Sequence, residues 1–215
     1  MQSFRQHRGI AAHLPQRNVD TDQIIPARFL HLPRAAGYGA HVFNDLRGAG
    51  FVLDTPPFDA ASILIAGDNF GCGSSREHAV WALLDAGIRV VIAPGFGDIF
   101  AGNALQNGLL AVALPADRVA TLAEAATARA PLELEVDLEA QRIGGPGIDT
   151  AFDIAPRRKQ ALLLGLSEIE MTLRDIDAVR AHEARRAAAA PWLQSPPQAT
   201  PQTAPQTAAA PRHTT

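Results

Sequence analysis

The chain has 215 residues, 47% hydrophobic and 19% charged, with a formal net charge of −3. That length supports one substantial core, or one domain plus a tail, and the scattered, nearly balanced charge excludes any general attraction to nucleic acid or anionic membrane. One cysteine, Cys72, excludes an internal disulfide and cannot supply the several thiolates that hold an iron–sulfur cluster; with no apolar run after the basic residues of positions 1–8, and none near the roughly 20 residues of a bilayer span, the expected location is the cytoplasm.

In chain order, the first sixty residues carry the weakest pattern. A polar loop at 18–22 meets a short apolar segment at 24–26, and residues 31–39, with two glycines, a proline and an arginine, predict an exposed loop. From there strand and helix signals alternate. The apolar run 62–66 ends at Gly67 as a buried strand. Residues 75–86 have Ala79, Leu83 and Ala86 at helical spacing and Gly87 as a stop. A strand at 88–93, a helix at 96–106 stopped by Asn107-Gly108, a strand at 109–114 and a helix at 117–128 follow. This β-α-β-α-β series predicts an α/β domain with parallel pairs. A strand at 132–137 then leads to a hairpin, 141–143 with 150–154 around Gly144-Gly145-Pro146-Gly147, and to helices at 157–164 and 175–190. From 191 to 215 the composition is almost wholly Pro, Gln, Ala, Thr and Ser, too apolar-poor to offset its ordering entropy. The division expected is a domain over 1–190 and a disordered tail over 191–215.

Chemistry concentrates between the strand at 62–66 and the helix that follows. Gly67-Asp68-Asn69-Phe70-Gly71-Cys72-Gly73-Ser74-Ser75-Arg76 brings glycines that let backbone approach a ligand, a helix start with free N–H groups and a guanidinium able to grip a carboxylate. A plain reading makes Ser74 or Ser75 a helix cap, but capping does not explain Gly71-x-Gly73 or Arg76. The segment lacks the lysine of a phosphate loop and the third glycine of a dinucleotide fingerprint.

Asn69-Phe70-Gly71-Cys72-Gly73-Ser74-Ser75-Arg76-Glu77-His78-Ala79, continued by Trp81-Ala82-Leu83, resembles the isopropylmalate dehydratase small-subunit family of the aconitase superfamily. Residues 18–26, Phe43-Asn44-Asp45, Val91-Ile92-Ala93-Pro94, and Asp98-Ile99-Phe100 with Asn103 are similar in the family's order, so the resemblance covers about residues 5 to 185. It implies a swivelling β/β/α domain that lids a separate large subunit in a heterodimer or higher assembly. A [4Fe–4S] cluster is implied in that larger partner, since a chain with one cysteine could not build it, and no metal is expected on this chain. The implied reaction dehydrates and rehydrates a small di-acid, moving a hydroxyl between adjacent carbons of a substituted malate in leucine biosynthesis.

Carried over position by position, the resemblance makes Ser74 the base that takes the carbon proton as a stabilised alkoxide, opposite a Lewis-acid iron. It places Asp22 beside Ser74 as a catalytic aspartate, and Ser75, Arg76 and Arg34 on the substrate carboxylates. Away from the resemblance, Asp22 reads as a turn cap and Arg34 as a solvated loop arginine. Gly73, His78 and Tyr38 are supporting candidates. His78 is either a proton-network member or a locally bonded helix-face histidine, and Pro33 to Gly39 is either a substrate-selecting lid or a surface turn. Cys72 reads as a small residue beside the site rather than a nucleophile. His7, His13, His31 and His41 have no metal-ligand spacing. Val80 stands where many bacterial members have proline, which keeps related hydro-lyase substrates (citraconate, dimethylmalate or homoaconitate) as alternatives. A non-catalytic assembly module and a free-standing small-anion binder are the readings from other classes. Retention of Ser74, Ser75, Arg76, Asp22 and Arg34 argues against the first, and a neighbouring gene for a large subunit would argue against the second.

Overall fold

Seven strands form one sheet in the order β4-β3-β2-β1-β5-β6-β7. The structure is a computed structural model, and it describes residues 1–74 and 76–193. The chain divides into two compact units, Met1–Met171 and Thr172–Thr215.

In the first unit β1 (Gln6–Leu14), β2 (Ile63–Ala66), β3 (Val90–Ala93) and β4 (Leu110–Ala113) are mutually parallel. Beyond β1 the sheet turns antiparallel through β5 (Leu132–Asp137), β6 (Arg142–Gly145) and β7 (Ile148–Ala151). Helices α2 (Glu77–Asp85) and α3 (Asp98–Asn107) are the crossovers of the parallel half, and α4 (Ala116–Ala128) leads to the antiparallel half. A short α1 (Thr21–Ile24) follows β1, and α5 (Pro156–Leu164) follows β7.

The pleat sorts alternate residues to two cores. Leu14, Leu64, Ala66, Val91 and Ala93 face a core shared with α2, α3 and the segment 19–61. Ile63, Ile65, Val90, Ile92 and Val112 face a second core filled by Val119, Leu122 and Ala126 of α4 and by Leu132, Leu134 and Val136. Burial on both faces is why β2 and β3 read as unbroken apolar runs. β5 has one wet face, so Glu133 and Glu135 alternate outward.

Several boundaries differ from the sequence expectation. The helix after Gly73 starts at Glu77, with Arg76 at its N-cap and no side-chain cap bond, so Ser74 does not cap it. α3 starts at Asp98 because the backbone at 95–97 is bonded across to Phe70. In the hairpin, Gly144 and Gly145 lie within β6, and Pro146-Gly147 make the turn, Gly147 at φ +74°. β1 and α6 (Glu168–Leu173) have no counterpart among the expected elements. Residues 31–39 are not wholly exposed: they form two short 3-10 turns, and Tyr38 is 1% exposed. In the second unit α7 (Ile176–Ala189) has no buried residue, and Pro191–Leu193 add one 3-10 turn. The rest of the tail, 194–215, lies outside the described residues. No helix among the described residues is long and apolar enough to cross a membrane.

Candidate active site

The loops after β1, β2 and β3 leave the same end of the parallel sheet and lace together beyond it. In an open parallel sheet the carboxyl ends of the strands are where ligand crevices form. On one side of the middle loop, Asn18 N–H donates to Asp68 O (2.9 Å), Gly71 N–H to Val19 O (2.7 Å) and Thr21 N–H to Cys72 O (3.1 Å). On the other side Phe70 N–H donates to Gly95 O (3.0 Å) and Gly97 N–H to Phe70 O (2.9 Å). Residues 68–72 thus act as an irregular continuation of the sheet, with parallel bridges Asp20–Cys72 and Phe70–Phe96.

This lacing explains the glycines that capping left unexplained. Gly71 has φ +72°, and a Cβ there would lie 2.2 Å from Phe100 Cγ. A Cβ on Gly97 would lie 2.5 Å from Gly71 O. Gly73 has more room, its nearest neighbour Asp20 Cβ at 3.5 Å, but its φ of +86° disfavours other residues.

Three expected residues come together at this end. Asp20 and Gln23 form a capping box over α1: Gln23 N–H donates to Asp20 Oδ1 (2.8 Å) and Asp20 N–H to Gln23 Oε1 (2.9 Å). Capping therefore falls to Asp20, which corrects the plain reading of Asp22 as a turn cap. Asp22 instead pairs with Arg76, whose side chain is 19% exposed. Thr21, buried at 2% exposure, donates its hydroxyl to Ser74 O (2.8 Å). Ser74 itself is exposed. Ser75 lies outside the described residues. Cys72 is half-buried with its thiol free, and its contribution to the lacing is its carbonyl.

The other candidates sit along α2. His78 meets rings: Tyr38 edge-on at 5.3 Å and Trp81 at 4.7 Å. The Tyr38 hydroxyl donates to Leu32 O (2.8 Å), so its ring supports α2 from beneath. Arg34 is not brought to Ser74. Its two terminal nitrogens donate to Asp85 at 2.7 and 2.9 Å, and its guanidinium lies 5.3 Å from the Trp81 ring centroid.

Two residues with structural work at the site escape a sequence reading. Thr21 has no role of its own in the sequence pattern. Asn107 reads there only as a helix stop, yet it accepts from Trp81 Nε1 (2.9 Å) and donates to Glu77 Oε1 (2.7 Å), tying the start of α2 to α3. A buried threonine beside an acid and an asparagine at a helix end carry no distinctive spacing, so no local signal marks either.

Among the described residues no group of histidine, cysteine, aspartate and glutamate side chains could hold a metal ion. A [4Fe–4S] cluster does not fit this chain's own donors, since the sequence offers a single thiol.

Comparison with known proteins bears directly on this site. Residues 1–117, which include all of it, match the aconitase C-terminal domain model, and residues 168–195 match the model for the C-terminal domain of the 3-isopropylmalate dehydratase small subunit. The "3-isopropylmalate dehydratase small subunit 2" of Bordetella pertussis is 45% identical over 93% of this chain and 100% of that one. The chain belongs to the 3-isopropylmalate dehydratase small-subunit family. A second member, from Rhodospirillum centenum, is 50% identical over 89% of this chain and 98% of its own. The crystal structure of a family member from Methanocaldococcus jannaschii superposes with a TM-score of 0.61 at 25% identity, covering 83% of this chain and 99% of that one. The family's fold is the aconitase C-terminal, swivelling α/β domain expected from the sequence, and its members are subunits of a hydro-lyase. The words "small subunit" in their names imply a larger partner for those proteins.

Proposed function

We propose that this chain is the small subunit of a hydro-lyase that interconverts 2-isopropylmalate and 3-isopropylmalate by dehydration and rehydration, in leucine biosynthesis. It works with a large subunit in a heterodimer or higher assembly. The observation that carries the reading is the joining of Thr21-Asp22 to Ser74 and Arg76, all within a chain that matches its relatives along most of both lengths. The [4Fe–4S] cluster belongs to the partner and supplies a Lewis acid for the departing hydroxyl.

This chain's residues supply the proton chemistry and part of the substrate grip. Ser74 Oγ takes the proton from the carbon next to the one bearing hydroxyl. The electron pair of that C–H bond becomes the second bond of the alkene as hydroxide leaves. The same oxygen returns the proton in the rehydration. A serine hydroxyl is a weak base in water, so its anion needs donors near it. The backbone that follows Gly71, whose own N–H is spent on Val19 O, and the start of α2 are the source of such donors, and Thr21 holds the Ser74 backbone. Arg76 spends one terminal nitrogen on Asp22 and has further N–H groups for a substrate carboxylate. Ser75 is the companion donor, Gly73 gives the turn its φ, and Tyr38 braces α2 through its edge contact with His78. Arg34 is the second carboxylate clamp, carried on the substrate-selecting loop 33–39. Residues 191–215 are an appended tail beyond the domain of residues 1–190, and the complex works in the cytoplasm.

The test is reconstitution. The chain and its candidate large subunit are purified anaerobically, and absorbance of the unsaturated intermediate is followed from 2-isopropylmalate. Activity is expected only from the pair. Full activity of the isolated chain would contradict the proposal.

A further inference from the structure

Arg34 is fully engaged in a place where it cannot serve Ser74. Its partner, Asp85, lies eight residues after Glu77, which is about 12 Å along α2 at helical rise. The end-on fork from both terminal nitrogens to both oxygens of Asp85 is the contact that arginine makes with any carboxylate. We propose that Asp85 is a stand-in carboxylate: it occupies Arg34 in the unliganded subunit and yields it to a substrate carboxylate when residues 33–37 swing toward Ser74. This rests on the reading of Arg34 as a carboxylate clamp.

The loop is built for such an exchange. Its two ends are pinned. At one, Leu32 O accepts the Tyr38 hydroxyl; at the other, Tyr38 N–H donates to Asp85 Oδ2 (2.8 Å). Gly39 lies so close to α2 that a Cβ there would meet Asp85 O at 2.5 Å. Between the pins, residues 33–36 are exposed. Gly37, at φ +73°, supplies a joint beside the fixed Tyr38. The Arg34 guanidinium rests near the Trp81 and Tyr38 rings, at 5.3 and 5.8 Å, and its side chain is 49% exposed. Water reaches the pair from the arginine's side, with Asp85 20% exposed, so a second carboxylate can approach Arg34 and compete for it. Asp85 is thus a positioning residue that acts through Arg34. It keeps the arginine ordered and neutralised, while holding part of the population away from substrate.

The decisive variant is Asp85→Asn in the complex with the large subunit, because asparagine keeps an oxygen for Tyr38 N–H while removing the charge. KM for 2-isopropylmalate is expected to fall about fivefold, the size of one partly exposed ion pair, with a smaller effect on kcat. In an Arg34→Gln background the same change should leave KM where Arg34→Gln alone puts it. If Asp85→Asn lowers the melting temperature below the assay temperature, Asp85→Ser makes the same removal of charge. An unchanged or raised KM in the folded variant overturns the proposal and makes Asp85 a fixed scaffold. A distinct result, Arg34→Gln alone leaving KM unaltered, would show that the clamp reading itself is wrong.

Discussion

Gly71→Ala is the substitution whose cost the structure specifies most completely. Gly71 sits at φ +72°, which costs a residue with a Cβ roughly 1–2 kcal/mol. The new methyl would also lie 2.2 Å from Phe100 Cγ and 2.7 Å from its Cβ. Phe100 cannot step aside freely. It is 2% exposed and packs against Phe70 at 5.4 Å and Phe96 at 6.2 Å between ring centroids. Overpacking of this kind costs about 1–3 kcal/mol, so the sum is about 2–5 kcal/mol, a large share of a typical domain's stability. Urea unfolding of the isolated chain, followed by circular dichroism, should show the midpoint falling by about 1–2.5 M at a slope near 2 kcal/mol/M. Removing the ring with Phe100→Ala takes away the Cγ and Cδ2 contacts, so it should return most of the clash share and leave the φ share, and the double variant should be about 1–3 kcal/mol more stable than additivity predicts. Strict additivity, or a midpoint unchanged by Gly71→Ala, would refute the claim that close approach to α3 dictates the glycine.

Thr21→Val keeps the shape of a buried side chain but removes the described hydroxyl donor to Ser74 O. Ser74 is exposed and water can replace the bond, so stability should fall by only about 1 kcal/mol, while kcat of the complex falls more steeply than KM rises; equal activity in the valine variant would remove Thr21 from the account. For pH, burial holds His7 and His13 below the usual histidine range, His7 further lowered by the nearby Arg89. A lowered pKa means the unfolded chain binds more protons just below pH 6.5, so stability should be level above that value and decline as pH falls through the depressed folded values. The urea midpoint should therefore drop as pH falls below about 6.5, less so in His7→Gln/His13→Gln, and a midpoint that stays flat on acidification would contradict the reading.

Legibility in the sequence follows burial. β2, β3 and β4 stand out because both faces of the parallel half are covered and the strands are nearly all apolar. β1 is invisible for the converse reason. It carries His7, Arg8 and His13, and its polar residues are satisfied by partners far away in sequence, His7 by Ser62 Oγ and Arg8 by Glu133. Ser74, Arg76 and Asp22 are legible through motif resemblance, and the pairing of Arg76 with Asp22 adds geometry to it. Tyr38 is not legible as a buried residue, because an aromatic between two glycines reads the same whether it faces solvent or helix α2. Asp85 is hidden altogether: an acid at a helix end is ordinary until the fold sets Arg34 against it.

The central claim is that Ser74 Oγ is the base this chain brings to its partner. The most direct measurement compares the wild-type complex with Ser74→Ala, using steady-state turnover of 2-isopropylmalate and deuterium wash-in at the reacting carbon. Intact assembly and substrate affinity within a few-fold are expected, with turnover and exchange both reduced about 10²–10⁴-fold, the range for loss of a general base. An alanine complex that turns over and exchanges like the wild type would contradict the claim.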